Sequence, residues 1–599
     1  MSTTARNEPY TGPDTSSQLI ALQHLEHIAG LQNEPAERTA VSGVRAAAGT
    51  MAPPAPAAPP AASAPPWSDV EAYVPVLAPE RVPARHGRSD LERLVERWQR
   101  LPLVGRVPFP LAATLLVQAA LSLRLVWSNT AFADEALYLW AGHLEWAHWL
   151  HGTSIATEAL PTYFSGAPVI YPPLGALADS IGGLAAARLL SLVFMLGATT
   201  FLYATARRLF DSKSAGFAAA LFAGAGATQF LGAFATYDAM ALFLLALAAW
   251  AAVRATACRS VTAVVLLGVS AGAAMALADA AKYAATLFDP VVVGVAALAL
   301  LRSCGWRRAV AGTGALLGAT VVLAAAGLWA GGHEVWAGIT STTLTRVTGT
   351  QPIPGVLFVS GKWIGAVAFL AVCGAVVTAW SRDWRTRLLG ALLAFAVFLA
   401  PAEQARIHTL TSLFKHVGYG GWFACIVAGY ALASLARAVP AVKAVAADRV
   451  SAAAVALAAM IGVAFAGAHF AGWPNTTKMI SQIAPVLTRT GCPCLATQNN
   501  AIDYYLHEMS YSGQLRNAFS FYYWDKRTHR ELGGPAAVSA AIEARYFNVV
   551  EVDPSLNAAV YAPITHALEA TAGYQLVGTS PSGTPGEPAE IWVLGGAAG

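Results

Sequence analysis

Charge is what this chain has least of. Only 12% of its 599 residues are Asp, Glu, Lys or Arg, about half the roughly 25% usual in a soluble domain. Most of its length therefore lacks the means to build a water-facing surface. Cysteine is equally thin. There are six, none in the paired spacing of a zinc site. Cys492 and Cys494, in GCPCL, fall in a soluble segment, where a disulfide and two free thiols both stay open. The N-terminal MSTTARNEPYTGPDTSSQ lacks the apolar core of a signal peptide, so insertion is left to the first membrane helix. Residues 50–66, TMAPPAPAAPPAASAPP, are Pro/Ala-rich, cannot build a packed core and read as a disordered linker. A net charge of +4 gives no basic footprint for nucleic acid.

What is present is apolar. Hydrophobic residues make up 56% of the chain and mean hydropathy is +0.50. They gather in runs of about twenty, the length that crosses the hydrocarbon core of a bilayer. The class is an all-α polytopic membrane protein.

The cations orient it. Arg88, Arg93, Arg97, Arg100 and Arg106 precede the first run, about 108–127, and positive flanks stay cytoplasmic. Clusters at Arg207/Arg208/Lys213, Arg254/Arg259, Arg302/Arg307/Arg308, Arg382/Arg385/Arg387 and Arg437/Lys443/Arg449 follow each second run thereafter. The loop from Asn129 to Gly183 has no Lys or Arg at all. About eleven spans result, with the N-terminus cytoplasmic and the tail outside. Three regions follow: a Pro/Ala-rich cytoplasmic 1–107, a membrane domain 108–470, and an extracytoplasmic 471–599. The tail alternates in YFNVVEVD and EIWVLG and is helix-like in GGPAAVSAAIEARY, the pattern of a small α/β domain.

Where the chain leaves the first run it reads NTAFADEALYLWAGHLEWAHWLHG. Asp134 and Glu135 suit the first turn of a helix, where the macrodipole favours acids. The turns that follow mix Trp140, Trp146 and Trp149 with His143, His148 and His151 and show no clean polar face, as suits an interfacial helix. The three histidines are the place where a divalent metal would bind, if one does; no cofactor is otherwise required. Further on, Tyr171-Pro172-Pro173 reads as an extended turn before the second span.

An inside-to-outside first helix, an outer Asp-Glu, an aromatic juxtamembrane helix and a YPPL return resemble the GT-C class of integral-membrane glycosyltransferases. The likeness is to its bacterial protein O-mannosyltransferase and lipid A aminoarabinose transferase branch, and it covers about residues 108–470. TYDAMALFLLALAAW (236–250) resembles that group's Asp-led fourth span. ALADAAKYAATLFDPVVV (276–293) resembles its Lys-Tyr segment, with Ala-Asp-Ala in place of the usual small or hydroxyl lead-in. HTLTSLFKHVGYGGWFACIVAGYAL (408–432) resembles its late outer-facing segment.

The resemblance implies transfer of a sugar from a polyprenyl-phosphate donor to an acceptor hydroxyl on a protein, lipid or polysaccharide, at the outer face of the cytoplasmic membrane. An acceptor hydroxyl must lose its proton as the new bond forms, which suits one carboxylate. A phosphate leaves without a second acid, but its charge needs cations. Single displacement would invert the anomeric carbon. Asp134 is the expected base, with Glu135 as the fallback. Lys282, with Tyr283 beside it, either holds the donor phosphate or snorkels at a helix end. Arg346, Arg406, Lys415 and His416 either bind donor or mark the interface. Asp238 either joins the site or caps its helix, and Tyr171 is counted with the substrate-binding residues. Two other classes compete: an ion-coupled transporter, for which ionisable groups near span ends would speak, and a polymerase or ligase of lipid-linked glycans.

Overall fold

The computed structural model describes residues 107–595, apart from 154, 156–163, 347, 439, 491–493, 497–499, 508–514, 519–520, 554–557 and 583–587. The linker at 50–66 and the pairing of Cys492 with Cys494 lie outside the described residues. Among those described, ten helices are long and apolar enough to cross a membrane.

The chain enters through α1 (Phe109–Val126), turns, and forms the juxtamembrane helix α2 (Ala133–His151). α3 (Tyr171–Leu209) is two helices in sequence, broken at Gly182 and Gly183. Gly183 has φ 65°, a conformation that costs a residue without a Cβ little. The part before the break lies against α2, and the part after it is the second span. The expected extended turn at Tyr171-Pro172-Pro173 is thus a helix start. Proline in a first turn gives up an N–H that has no helical partner there, and its φ is already helical. α2 crosses close above it. A Cβ on Gly142 would lie 2.0 Å from the Pro172 carbonyl oxygen, and Trp146 Nε1 donates to Pro173 O at 2.8 Å.

The third expected span is present as two short pieces, α4 (Ser212–Gly224) and α5 (Gly226–Leu231), and this accounts for the count of ten long helices against about eleven. Ala225 between them is extended (φ −62°, ψ 140°). A broken helix at membrane depth must have its freed carbonyls met from inside the protein. Gln229 Nε2 donates to Gly224 O at 2.7 Å, and Arg124 Nη2 donates to Gln229 Oε1 at 3.0 Å.

The remaining spans are α6 (Tyr237–Arg254), α7 (Val261–Ala281), α8 (Asp289–Cys304), α9 (Trp306–Ile339), α10 (Ile353–Ala379), α11 (Trp384–Arg406), α12 (Leu413–Arg437) and α13 (Ala441–Gly472). A 3-10 segment, Tyr283–Phe288, joins α7 to α8. A π-helical turn, Thr340–Leu344, continues α9 beyond Ile339. At one end of the bundle Arg437 pairs with Asp211 at 2.8 Å, Lys213 with Asp448 at 2.6 Å, and Arg302 donates to Leu209 O at 3.0 Å. These contacts draw the basic loops together. The acids of α2 and α6 lie at the opposite end.

After α13 come α14 (Thr477–Thr490), β1 (Cys494–Ala496), α15 (Asn500–Tyr505), β2 (Leu515–Asn517), β3 (Tyr522–Asp525), β4 (Arg530–Gly533), α16 (Gly534–Glu543), β5 (Val549–Val552), α17 (Ala558–Ala570), β6 (Tyr574–Ser580) and β7 (Ala589–Leu594). One sheet has the order β2-β1-β5-β7-β6, and β3 pairs with β4 as a separate hairpin. β1, β2 and β5 are parallel, while β7 runs antiparallel to β5 and β6. β5, Val549–Val552, is buried throughout, as a central strand covered on both faces must be. The tail is the small α/β domain its alternation implied.

Candidate functional site

The site is built where α2 begins. Glu135 lies wholly buried in a two-point ion pair with Arg188 of α3: Arg188 Nε donates to Oε1 at 2.8 Å and Nη2 to Oε2 at 2.7 Å. Glu135 also accepts from the N–H of Phe132 at 3.0 Å and of Ala235 at 2.8 Å. A carboxylate offers about four lone-pair sites, and here four donors fill them. Arg188 is equally committed. Its other N–H groups donate to the carbonyls of Val126, Asn129 and Thr130 at 2.8, 2.9 and 3.1 Å. The pair therefore fixes both the end of α1 and the start of α2. Glu135, the expected fallback base, does not line the cavity described below and has no lone pair to spare. It is an anchor.

Asp134, one residue earlier and so about 100° around the helix, has the opposite surroundings. Its side chain is 31% exposed, and Lys415 Nζ donates to its Oδ2 at 2.6 Å. No described residue hydrogen-bonds its Oδ1. Behind it runs an alternating line of charge: Lys415 Nζ is 3.7 Å from Asp238 Oδ2, and Lys282 Nζ is 3.1 Å from Asp238 Oδ1. Asp238, Lys282 and Lys415 are all at most 2% exposed. Lys282 also lies over the Tyr237 ring, 4.5 Å from its centre. A buried, paired lysine is not a snorkelling one.

The helices explain part of this. Asp238 is in the first turn of α6 and Lys282 caps the C-terminus of α7, so each sits where the helix field favours its charge. Lys415 is in the first turn of α12, where a cation is disfavoured, and the two aspartates compensate. The bend that brings it there is strained. His408 (φ 52°) and Ser412 (φ 63°) adopt left-handed backbone between α11 and α12, at a cost of about 1–3 kcal/mol each. Contacts to the facing loop hold the turn: Gly349 N–H donates to Ile407 O at 2.8 Å and Gln351 N–H to His408 O at 3.0 Å.

Asp134 and Lys282 share a cavity of about 520 Å³ with Tyr283, Arg346, Arg406 and His416. Asp238 and Lys415 stand directly behind that wall. Tyr138 and Tyr237 line it too, their hydroxyl oxygens 2.6 Å apart. Burial, with Tyr237 and the Asp134 carboxylate nearby, pushes the Tyr138 phenol well above the usual tyrosine range. Arg406 is the most exposed of the group and forks onto Glu403 at 2.8 and 2.6 Å. Gln404 Nε2 lies 2.9 Å from His416 Nδ1, and the buried His416 Nε2 has no partner among the described residues. Tyr171 is not in the cavity. It is fully buried at the start of α3, where its ring packs in the core against α2.

The juxtamembrane histidines do not converge. His143 Nε2 meets Asp179 Oδ2 at 2.8 Å, while His148 Nδ1 meets Thr153 O at 2.9 Å. Among the described residues, no group of three His, Cys, Asp or Glu side chains is arranged to hold a metal. Sequence reasoning missed Arg188, although a signal existed. It is a lone cation inside the second apolar run, and intramembrane charge requires a partner.

Residues 176–329 match a family model described as dolichyl-phosphate-mannose-protein mannosyltransferase. That segment includes Asp238 and Lys282 but neither Asp134 nor Lys415. No curated protein matches the sequence. Among solved structures, apo ArnT from Cupriavidus metallidurans aligns at 18% identity over 83% of this chain and 99% of that one, with a TM-score of 0.56. The same protein bound to undecaprenyl phosphate aligns at 16% identity over the same shares, with a TM-score of 0.55. The chain thus has the ArnT-like GT-C membrane fold, and within it a segment that matches the mannosyltransferase model.

Proposed function

We propose that the chain is an inverting membrane glycosyltransferase that moves a sugar from a polyprenyl-phosphate donor to an acceptor hydroxyl, with Asp134 as general base. One observation carries the reading. Of two adjacent acids, one is saturated by four donors, while the other keeps an oxygen without a hydrogen bond in a cavity it shares with Lys282. The mannosyltransferase match and the lipid phosphate bound by ArnT support the donor class.

In the step proposed, the acceptor oxygen bonds to the anomeric carbon as the bond from that carbon to the phosphate oxygen breaks. The electron pair leaves on the lipid phosphate, and the hydroxyl proton passes to Asp134. Lys415 holds Asp134 in place through Oδ2, leaving Oδ1 for the proton. Lys282, Lys415, Arg346 and Arg406 together face Asp134, Asp238 and Glu403, four cations to three acids. The surplus of one positive charge matches the single negative charge of a sugar phosphodiester. The leaving phosphate gains a charge at the moment Asp134 loses one, so the balance holds through the reaction. The basic loops at the far end support a cavity and an α/β domain on the outer face, by the positive-inside rule. The α/β domain reaches the cavity through Asn500.

Membranes carrying the wild-type or the Asp134→Asn protein, incubated with radiolabelled polyprenyl-phosphate sugar, test the proposal. Acid-dependent transfer of label into a new glycosidic bond supports it. Movement of substrate across vesicles with no such bond would instead indicate transport.

A further inference from the structure

The entry to α2, just before Asp134, is gripped from the C-terminal side of the chain as well as by Arg188. Tyr505 of α15 receives the Ala131 N–H on its hydroxyl at 2.8 Å. Asn500, at the other end of α15, donates from Nδ2 to Ala133 O at 3.3 Å and itself lines the cavity. These two contacts fall three residues and one residue before Asp134. Tyr504, between them, donates to Asp179 Oδ1 at 2.6 Å, so α15 is tied to α3 as well. Its ring packs with Ala131, Ala136, Leu139 and Ala187, an apolar patch shared by α2, α3 and α15.

We infer that α15 is a working part of the site, with Tyr505 and Asn500 as positioning residues that aim Asp134. The inference rests on the reading of Asp134 as base. The α/β domain then does more than border the cavity. The Ala131 N–H lies ahead of the N-cap, outside the ladder of α2, and the Ala133 carbonyl is the first one inside it, so the domain holds the backbone immediately before the acid on both sides of the helix start. A base must be held within a few tenths of an ångström of the hydroxyl it deprotonates, and a shift of about 1 Å can cost a hundredfold in rate. Tyr505→Phe keeps the ring and removes only the acceptor for Ala131. Asn500→Ala removes the second hold.

The test compares full-length wild type, Tyr505→Phe, Asn500→Ala, Asp134→Asn and Tyr505→Phe/Asp134→Asn in the label-transfer assay. The expected result is a kcat about ten- to a hundredfold lower in Tyr505→Phe with donor KM within about twofold of wild type. Asn500→Ala should also lose kcat, and this arm decides the matter if the phenylalanine variant unfolds. In the Asp134→Asn background, Tyr505→Phe should produce no further loss, because there is no base left to aim. If Asp134→Asn is inactive while Tyr505→Phe and Asn500→Ala keep wild-type kcat, the inference about α15 is wrong and the base assignment stands. If Asp134→Asn stays active, the base assignment itself falls, and the inference with it.

Discussion

Lys415 Nζ donates to Asp134 at 2.6 Å although 281 residues separate the two. The lysine is almost fully buried and the aspartate is partly open to the cavity. Each therefore depends on the other in a different way: the cation for charge compensation, the acid for its placement.

Asp134→Asn keeps the shape of the side chain and removes its ability to take a proton. Turnover should fall by about a hundred- to ten-thousandfold, the usual contribution of a general base, with donor binding within a few-fold of wild type. Single-turnover kinetics with labelled donor separates the two quantities.

Lys282→Ala should weaken binding of polyprenyl phosphate by about ten- to a hundredfold, as expected for one charge-assisted hydrogen bond of about 1.5–3 kcal/mol. It also leaves the buried Asp238 with Lys415 alone, so the variant should melt earlier than wild type. Adding Asp238→Asn should recover stability without recovering affinity. Lipid-phosphate titration followed by tryptophan fluorescence, read beside thermal unfolding in detergent, would show whether the two effects part in this way.

Glu135→Gln and Arg188→Met should each destabilise the protein by about 3–5 kcal/mol, the cost of leaving one member of a buried ion pair alone. The double change to Gln and Met should cost less than the sum of the two. Equal and additive losses would show that the pair is not a unit.

Burial pushes the Asp503 carboxyl of α15 up to about 7, against about 3.9 in an unfolded chain. The folded state thus binds this proton more tightly than the unfolded one. Stability from this group is fully present below about pH 4 and is lost as pH rises through 7. Asp503→Asn should flatten that fall, so wild type and variant should melt together near pH 4 and diverge above pH 7. A pH series of thermal melts checks it. Parallel curves would mean that Asp503 is ordinary.

Much of the fold was legible because bilayer physics leaves a short menu. Apolar runs of the right length, cations on alternate loops and a turn-rich tail were enough to read a helical bundle with an α/β appendage. The break at Ala225 was not legible, since Gly-Ala-Gly in an apolar run is as compatible with a continuous helix as with a broken one until Gln229, itself held by Arg124, is seen to meet the Gly224 carbonyl. Tyr171 misled because Pro-Pro signals an extended turn and a helix start equally well. At the site, types and sidedness could be read, but partners could not. Lys415, Asp238 and Lys282 lie on three helices, and nothing local announces that they form one line with Asp134. The difference between Asp134 and Glu135 was also invisible, because it depends on which side of one helical turn faces Arg188.

That difference makes the junction between α1 and α2 intolerant of changes in length. Inserting or deleting one residue within 127–133 would rotate α2 by about 100° if its start stayed put, carrying the anchoring carboxylate away from Arg188 and the reactive one out of the cavity. Substitutions along that junction can be absorbed one side chain at a time. Its spacing, by contrast, is a ruler, and homologous proteins that share the ion pair should keep the same number of residues there even where their identities have drifted.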